Sequence, residues 1–263
     1  MSVPLSTVPT VRAPSGAATL PSDWQTLLLI ARRAALEALR DRITLTMSVF
    51  FSLVFPLIMV FSVVRPLAGA GSGQDGVLGT VLAIYVLLIG LLPTTAAVGV
   101  ACGQFAGEKE QGNLAPLLAS PASNVAIFGG KVLGAVVPAI LFSAVAEIAY
   151  LLAVSATIGA NKLRLLPPAL AIAMLLLVPA VAIFAATVAS LISSRVRTFN
   201  TAQQISGILL FPLWGILFGV AFKMGAWGAW TLALAVAAVF AIDAVLTVVA
   251  AKTWRREEVL AQQ

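Results

Sequence analysis

The chain of 263 residues is 60% hydrophobic and only 10% charged, whereas an ordinary soluble domain is roughly 25% charged and roughly 45–50% apolar. A water-soluble fold could not bury this much apolar surface. The sequence has no His and a single Cys, which excludes an internal disulfide, a His-based metal site, a His general base and a Cys–His dyad. The net charge of +6 is typical of cationic flanks of membrane helices, so we predict no nucleic-acid partner.

The first 42 residues precede any apolar run long enough to span a bilayer. Residues 1–22 are rich in Pro, Ser, Thr and Ala and predict a disordered cytoplasmic tail. Residues 23–42 predict an amphipathic helix at the membrane interface, although a plain charged flank is an alternative. Its apolar residues recur at helical three- and four-residue steps. They are Trp24, Leu27, Leu28, Ala31, Ala35, Ala38 and Leu39.

Six apolar runs follow, and a helix needs about 20 apolar residues to cross a bilayer. They predict an all-α integral membrane protein with six transmembrane helices over residues 43–251 and a cytoplasmic tail over 252–263. The predicted spans are 43–64, 77–103, 131–158, 166–192, 201–222 and 229–251.

Charges in the loops predict the orientation of these spans. Most of the 16 basic residues fall on the side that holds both termini. Since cationic loops remain in the cytoplasm, both termini are predicted to be cytoplasmic, as is the loop between spans two and three. Trp227 and Trp230 are then expected at the outer interface and Trp254 at the inner one.

The loop between spans two and three contains the polar stretch FAGEKEQGNLAPLLASPAS, residues 105–123. Gly112 and Asn113 are expected to end the helix that leaves span two, and Asn113 to cap a short helix over 114–119. Ser120-Pro121 ends that helix, because a residue before proline avoids the helical region. Its leucines predict either a loop resting on lipid or a face that binds a partner protein.

The region from Asp23 to Trp254 resembles the permease subunit of ABC-2 type ABC transporters. The resemblance is carried by EKEQGNLAPLLASPASNVAIFGGK, by LRDRITLTMSVFFSLVFPLIMVF with its Pro56, and by RTFNTAQQISGILLFPL. Two features depart from the family. Asn113-Leu114-Ala115 stands where the family usually has Thr-Leu-Glu, and FGVAFKMGAWGAW leaves little room for the re-entrant half-helices that many members have between spans five and six.

The resemblance implies a six-span half-transporter like the type V exporters, which pairs with a second permease subunit as a homodimer or heterodimer. Two cytoplasmic ABC ATPase subunits would bind ATP and Mg, so this chain needs no cofactor of its own, and the GxxxxGK[ST] motif is absent from it. The loop over 104–130 would carry a coupling helix seated in a groove of the ATPase. The coupling residues implied are Glu108, Glu110, Gly112, Asn113, Leu114, Leu117, Leu118 and Pro121.

Two acids interrupt the spans, and an acid within a membrane is a functional hypothesis by default. Glu147 is expected in the outer half of the membrane and Asp243 in the inner half, too far apart in depth to pair. Together with Gln203 and Gln204 at the start of span five, they are candidates for the substrate pathway, although each could equally serve packing. They also motivate an alternative function, a stand-alone secondary carrier using the two acids as ion or proton sites. A membrane enzyme is less favoured, because the sequence offers no convincing nucleophile–base set.

Overall fold

The computed structural model of the chain describes residues 22–69, 75–113 and 120–254. Helices make up nearly all of these residues, and the described part of the chain contains no strand. The predicted tail apart from Ser22, the predicted short helix over 114–119, and residues 255–263 lie outside it.

Six helices are long and apolar enough to cross a membrane, which confirms the predicted all-α integral membrane fold. We number these spans one to six in chain order. Spans two and three differ most from the prediction, since span two continues through the charged residues 108–110 and span three begins seven residues earlier. The spans are Arg42–Gly69, Asp75–Glu110, Asn124–Ile158, Pro168–Arg195, Phe199–Met224 and Ala229–Thr253.

Span one is a single helix with irregular turns on both sides of its proline. An α-helical turn over Phe55–Met59 holds Pro56 and lies between π-helical turns over Phe50–Val54 and Val60–Val64. Proline has no N–H to donate and its ring displaces the preceding turn, so the wider π geometry accommodates it. Asp41 caps the helix, since its carboxylate accepts from the Thr44 N–H at 2.8 Å. Hydrogen bonding to the Thr44 side chain and backbone lowers the pKa of the Asp41 carboxyl.

A separate helix, α1 (Asp23–Ala38), precedes span one and begins with a capping box between Ser22 and Gln25. Its buried residues are Ala31, Ala34, Ala35 and Ala38, and this alanine face packs on span three. Ala31, Ala35 and Ala38 of the predicted stripe thus contact span three, because only small side chains fit where two helices approach closely. Trp24 and Leu28 of the same stripe are 65% and 43% exposed.

Span two is the centre of the bundle and packs most extensively against spans four and three. In the most apolar stretch of span two, 61% of the residues are buried, whereas in the corresponding stretches of spans five and six only 17% are. The outer faces of spans five and six are therefore the surfaces that this chain offers to lipid or to another subunit.

The end of the bundle that carries α1 is here called the α1 end, and the opposite one the far end. At the far end, Lys162 forms an ion pair with Asp75 at 2.8 Å, joining the start of span two to the link after span three. Spans five and six are joined there by residues 225–228 alone. This four-residue link, all of it described, holds no re-entrant half-helix.

Candidate functional site

The polar stretch after span two is described as far as Asn113, and its first part continues the helix of span two. The helix ends at Gly112, whose φ of 69° lies in the left-handed region that glycine adopts most readily. The N–H of Gly112 donates to the Lys109 carbonyl at 3.1 Å and that of Asn113 to the Glu108 carbonyl at 2.9 Å, which together form a Schellman motif. Gly112 and Asn113 thus end the helix as the sequence predicts.

Lys131 of span three is buried at 2% exposure and forms an ion pair with Glu108. The Lys131 Nζ lies 2.6 Å from the Glu108 Oε2, donates to the backbone carbonyl of Gln104, and lies 4.9 Å from the centre of the Phe105 ring. A buried ammonium requires such compensation, because removing one partner leaves an unpaired charge in a medium of low polarity. Lys131 is the predicted start of span three. Because its charge is compensated inside the bundle, the helix instead begins seven residues earlier, at Asn124.

Lys109 points from the same turn towards a different helix. Its Nζ donates to the carbonyls of Ser194 and Val196, both at 3.0 Å, where span four ends. The last carbonyls of a helix have no partner within it, and a cation placed there also complements the negative end of the helix dipole. Glu108 and Lys109, which are adjacent in the sequence, therefore connect the polar stretch to spans three and four.

A π-helical turn over Gly103–Gly107 places these two residues. Such a turn leaves backbone groups without their α-helical partners, and Ser193 of span four supplies two of the missing bonds. Its hydroxyl accepts from the Ala106 N–H at 2.9 Å and donates to the Cys102 carbonyl at 2.8 Å. The turn is thereby fixed to span four within the bundle.

An aromatic cluster of Phe105, Phe128 and Trp254 closes the α1 end beneath the polar stretch. The three ring centres lie 5.8–6.1 Å apart, within the range of favourable ring packing. Trp254 is buried at 4% exposure, and its carbonyl lies 3.5 Å from the Asn124 Nδ2. The cluster joins the ends of spans two and six to the start of span three.

The remaining predicted coupling residues are exposed or lie outside the described part. Glu110, Gly112, Asn113 and Pro121 are exposed, and the Asn113 Nδ2 donates to the Gln111 Oε1 at 3.2 Å. Leu114, Leu117 and Leu118 lie outside the described residues. Ser123 caps span three by accepting from the Ala126 N–H at 3.2 Å. In the part of the polar stretch that ends at Asn113, the exposed residues are therefore Glu110–Asn113, while the Glu108 side chain is directed into the bundle.

Glu147 is 7% exposed and lies between spans two, three and four. A Cβ atom built on Gly90 would lie 2.5 Å from the Glu147 Oε1 and equally close to Val178, so the glycine makes room for the carboxyl group. One turn away, Ser143 donates to the Gly90 carbonyl at 2.7 Å. The Oε1 atom has no hydrogen-bond partner among the described residues.

Asp243 of span six is 2% exposed, and neither carboxyl oxygen has a hydrogen-bond partner within the described part of the chain. One turn further along the helix, Thr247 shares a hydrogen bond of 3.1 Å with Thr187 of span four. Asp243 and Glu147 thus occupy separate places.

Gln203 lines a cavity of about 280 Å³ between spans two, four and five, with a mostly apolar wall. Thr94, Thr95 and Trp214 are among the other residues of that wall. Gln204, Glu147 and Asp243 do not line it, so of the four predicted pathway residues only Gln203 reaches this cavity.

The close packing of α1 on span three is not among the features predicted from the sequence. Gly130 and Gly134 form a small-x-x-x-small pattern that allows two helices to approach closely, and alanines recur at similar spacing in α1. That pattern could have been found. The pairing of Lys131 with Glu108 could not, because a long loop separates the two residues.

Together with the comparison with known families, these features define the membrane-embedded subunit of a transporter. The family model of the ABC-2 type transporter matches residues 25–249, which is most of the chain. The chain therefore belongs to the ABC-2 type transporter family and is the permease component of an ABC transporter. Permeases of this family generally work with a cytoplasmic ABC ATPase. No curated protein matches the chain.

Proposed function

We propose that this permease couples ATP hydrolysis by a separate cytoplasmic ATPase to the export of a substrate, with ATP and Mg bound by the partner. The observation that carries the proposal is the way in which the segment over 104–113 is fixed to the bundle. It contacts spans three and four through charged side chains and through Ser193. A segment fixed in this way would pass a movement at its exposed end to the helices.

The ATPase would contact the exposed end of this segment and the leucines that follow it, with Glu110, Gly112, Asn113, Leu114, Leu117, Leu118 and Pro121 as its contacts. Both termini would then be cytoplasmic, because α1 and this segment lie at the same end of the bundle. A second permease subunit, identical or related, would complete the transporter. The weakly buried spans five and six leave apolar surface for it.

Substituting Leu117 and Leu118 with aspartate should leave the permease in the membrane and weaken its binding of the ATPase by at least about tenfold, as loss of apolar anchors at an interface typically does. The measurement is co-elution of the ATPase with detergent-solubilised permease, together with stimulated ATP hydrolysis. The pair Leu117→Met and Leu118→Met, which keeps the apolar volume, is the matched control. Unchanged co-elution of the aspartate variant would show that these leucines do not form the contact.

The exposed side of α1 would lie on the cytoplasmic surface of the bilayer. Leu28, Leu29 and Leu36 are exposed beside Arg32 and Arg40, a combination typical of helices at a lipid surface. Arg33 forms an ion pair with Glu37 at 2.8 Å, and this contact raises the pKa of the Arg33 guanidinium. Arginine side chains can extend towards lipid headgroups while their stems cover apolar surface.

The cavity beside Gln203 is our candidate for part of the substrate pathway. Its wall combines the Thr94 and Thr95 side chains with the Phe211 and Trp214 rings, which suits a molecule with both polar and apolar parts. Gln204 is exposed next to it and would add polarity at the entrance.

The Glu147 Oε1 and both Asp243 carboxyl oxygens have no hydrogen-bond partner among the described residues, which favours one alternative, a stand-alone carrier driven by an ion gradient. Under the proposed function, the permease alone in ATP-free liposomes should take up no protons along an imposed pH gradient, because movement of the helices requires the ATPase. A pH-sensitive dye inside the liposomes provides the measurement. Uptake that is lost in the Glu147→Gln variant would establish the carrier instead.

A further inference from the structure

Glu108 and Glu110 are neighbours in sequence and carry the same charge, yet the structure gives them different surroundings. Glu110 is exposed at the end of the helix. The Glu108 side chain is 26% exposed and its Oε2 lies 2.6 Å from the Lys131 Nζ, with Lys131 itself only 2% exposed. A carboxylate used in this way is not available as a contact to another protein.

The partner of Glu108 has a position suited to transmission of movement. Lys131 lies two turns into span three, on a stretch of the helix that α1 also covers. A Cβ atom on Gly130 would lie 2.8 Å from the Leu27 carbonyl oxygen, and one on Gly134 would lie 2.5 Å from the Ala34 Cβ, so α1 and span three have little room to slide. A pull on Lys131 would move both helices together.

We propose that Glu108 is a positioning residue, which transmits movement of the segment over 104–113 to span three through its ion pair with Lys131, and is not a contact to the ATPase. This inference rests on the proposed function, since it assigns one residue of the coupling segment to the inside of the permease. The ion pair holds span three, while Lys109 in the same turn holds the end of span four. One movement of the segment therefore reaches two helices.

A test requires a reporter on span three that needs no knowledge of the substrate. The described part of the chain has one cysteine, the buried Cys102, which is also the only cysteine of the sequence. A Cys102→Ser background is therefore free of cysteine. Ala156 is exposed in the last turn of span three at the far end, and Ala156→Cys can be labelled there with a membrane-impermeant maleimide.

The labelling rate is measured in the assembled permease–ATPase complex, without nucleotide and after trapping with MgATP and vanadate. With Glu108 present we expect the two rates to differ by about fivefold, the smaller end of typical coupling between distant sites. In the Glu108→Gln variant the ATPase should still co-elute, while the difference falls below about twofold. Glu108→Asp, which keeps the charge, should show more of the nucleotide-dependent difference than Glu108→Gln does. A residue needed only to fill space in the fold would not show this dependence on charge.

Asp75→Asn is the matched control, because it removes the carboxylate of the other ion pair between chain segments, at the far end. It should keep the nucleotide-dependent difference, and thermal unfolding of each variant separates loss of coupling from loss of the fold. If Glu108→Gln unfolds, Lys131→Met tests the same pair from the other side.

Two results from the Glu108→Gln variant would overturn the proposal while leaving the proposed function intact. One is a full nucleotide-dependent difference in Glu108→Gln, and the other is release of the ATPase from that variant, which would make Glu108 a docking contact. An absent difference in the unaltered complex would also overturn it, because span three would then not respond to nucleotide. Failure of the unaltered permease to bind an ATPase would instead refute the proposed function.

Discussion

Replacing Gly79 with alanine is expected to destabilise the permease by about 1–3 kcal/mol, the usual cost of forcing extra volume into a packed site. A Cβ atom at this position would overlap the Leu165 carbonyl oxygen and lie 3.1 Å from its carbonyl carbon. Both atoms belong to the backbone, so no side-chain rotation can relieve the contact. Span two or the link between spans three and four must move, although the Lys162–Asp75 ion pair joins that link to span two.

Thermal unfolding in detergent measures this effect, and cleavage by trypsin after Lys162 or Arg164 reports on the link itself. Gly76→Ala is the matched control, since it lies in the same helix one turn earlier with no atom within 4 Å of the added Cβ. In a helix, alanine is intrinsically favoured over glycine by about 1 kcal/mol, so the control should be neutral or stabilised. Equal stability of the two variants would show that the contact at Leu165 relaxes without cost.

Replacing Gly134 with alanine is expected to loosen α1 from span three at a similar cost of about 1–3 kcal/mol. The added Cβ would lie 2.5 Å from the Ala34 Cβ and 3.0 Å from the Ala31 carbonyl oxygen. Alanine side chains have no rotamer that could move aside, so the whole helix must shift. The exposed Arg32 and Arg33 should then be cut faster by trypsin, because cleavage requires local opening.

The rate of this cleavage in membrane vesicles is the measurement, with thermal unfolding as a second one. Gly99→Ala provides the control, because Gly99 is also in a transmembrane helix and its added Cβ meets no atom within 4 Å. Protection of α1 in the Gly134 variant as complete as in the control would contradict close packing of the two helices.

The fold was predictable where a local pattern determines it. Each span contains a largely apolar run of sufficient length, and each such run forms a helix. Gly112 ends the helix of span two for a reason that is also local, because glycine readily adopts the left-handed backbone found there. Boundaries shifted where a charged residue was taken to mark the edge of the membrane.

Lys131 is the clearest example of what the sequence could not reveal. A lysine next to an apolar run is normally a boundary, whereas here the ion pair with Glu108, the Gln104 carbonyl and the Phe105 ring compensate its burial. A similar limit applies to the packing of α1 on span three. Hydropathy does not distinguish the alanines of α1 that contact another helix, such as Ala34, from its larger exposed residues Trp24 and Leu28.

The π-helical turn before Glu108 has a consequence for the length of span two. Each residue of an α-helix turns the chain by about 100°, so one residue more or fewer in Gly103–Gly107 would rotate everything that follows by that angle. Glu108 would then face away from Lys131, and Lys109 away from the end of span four. The number of residues in this turn is thus more strictly determined than their identity, and insertions or deletions here should be far less tolerated than substitutions.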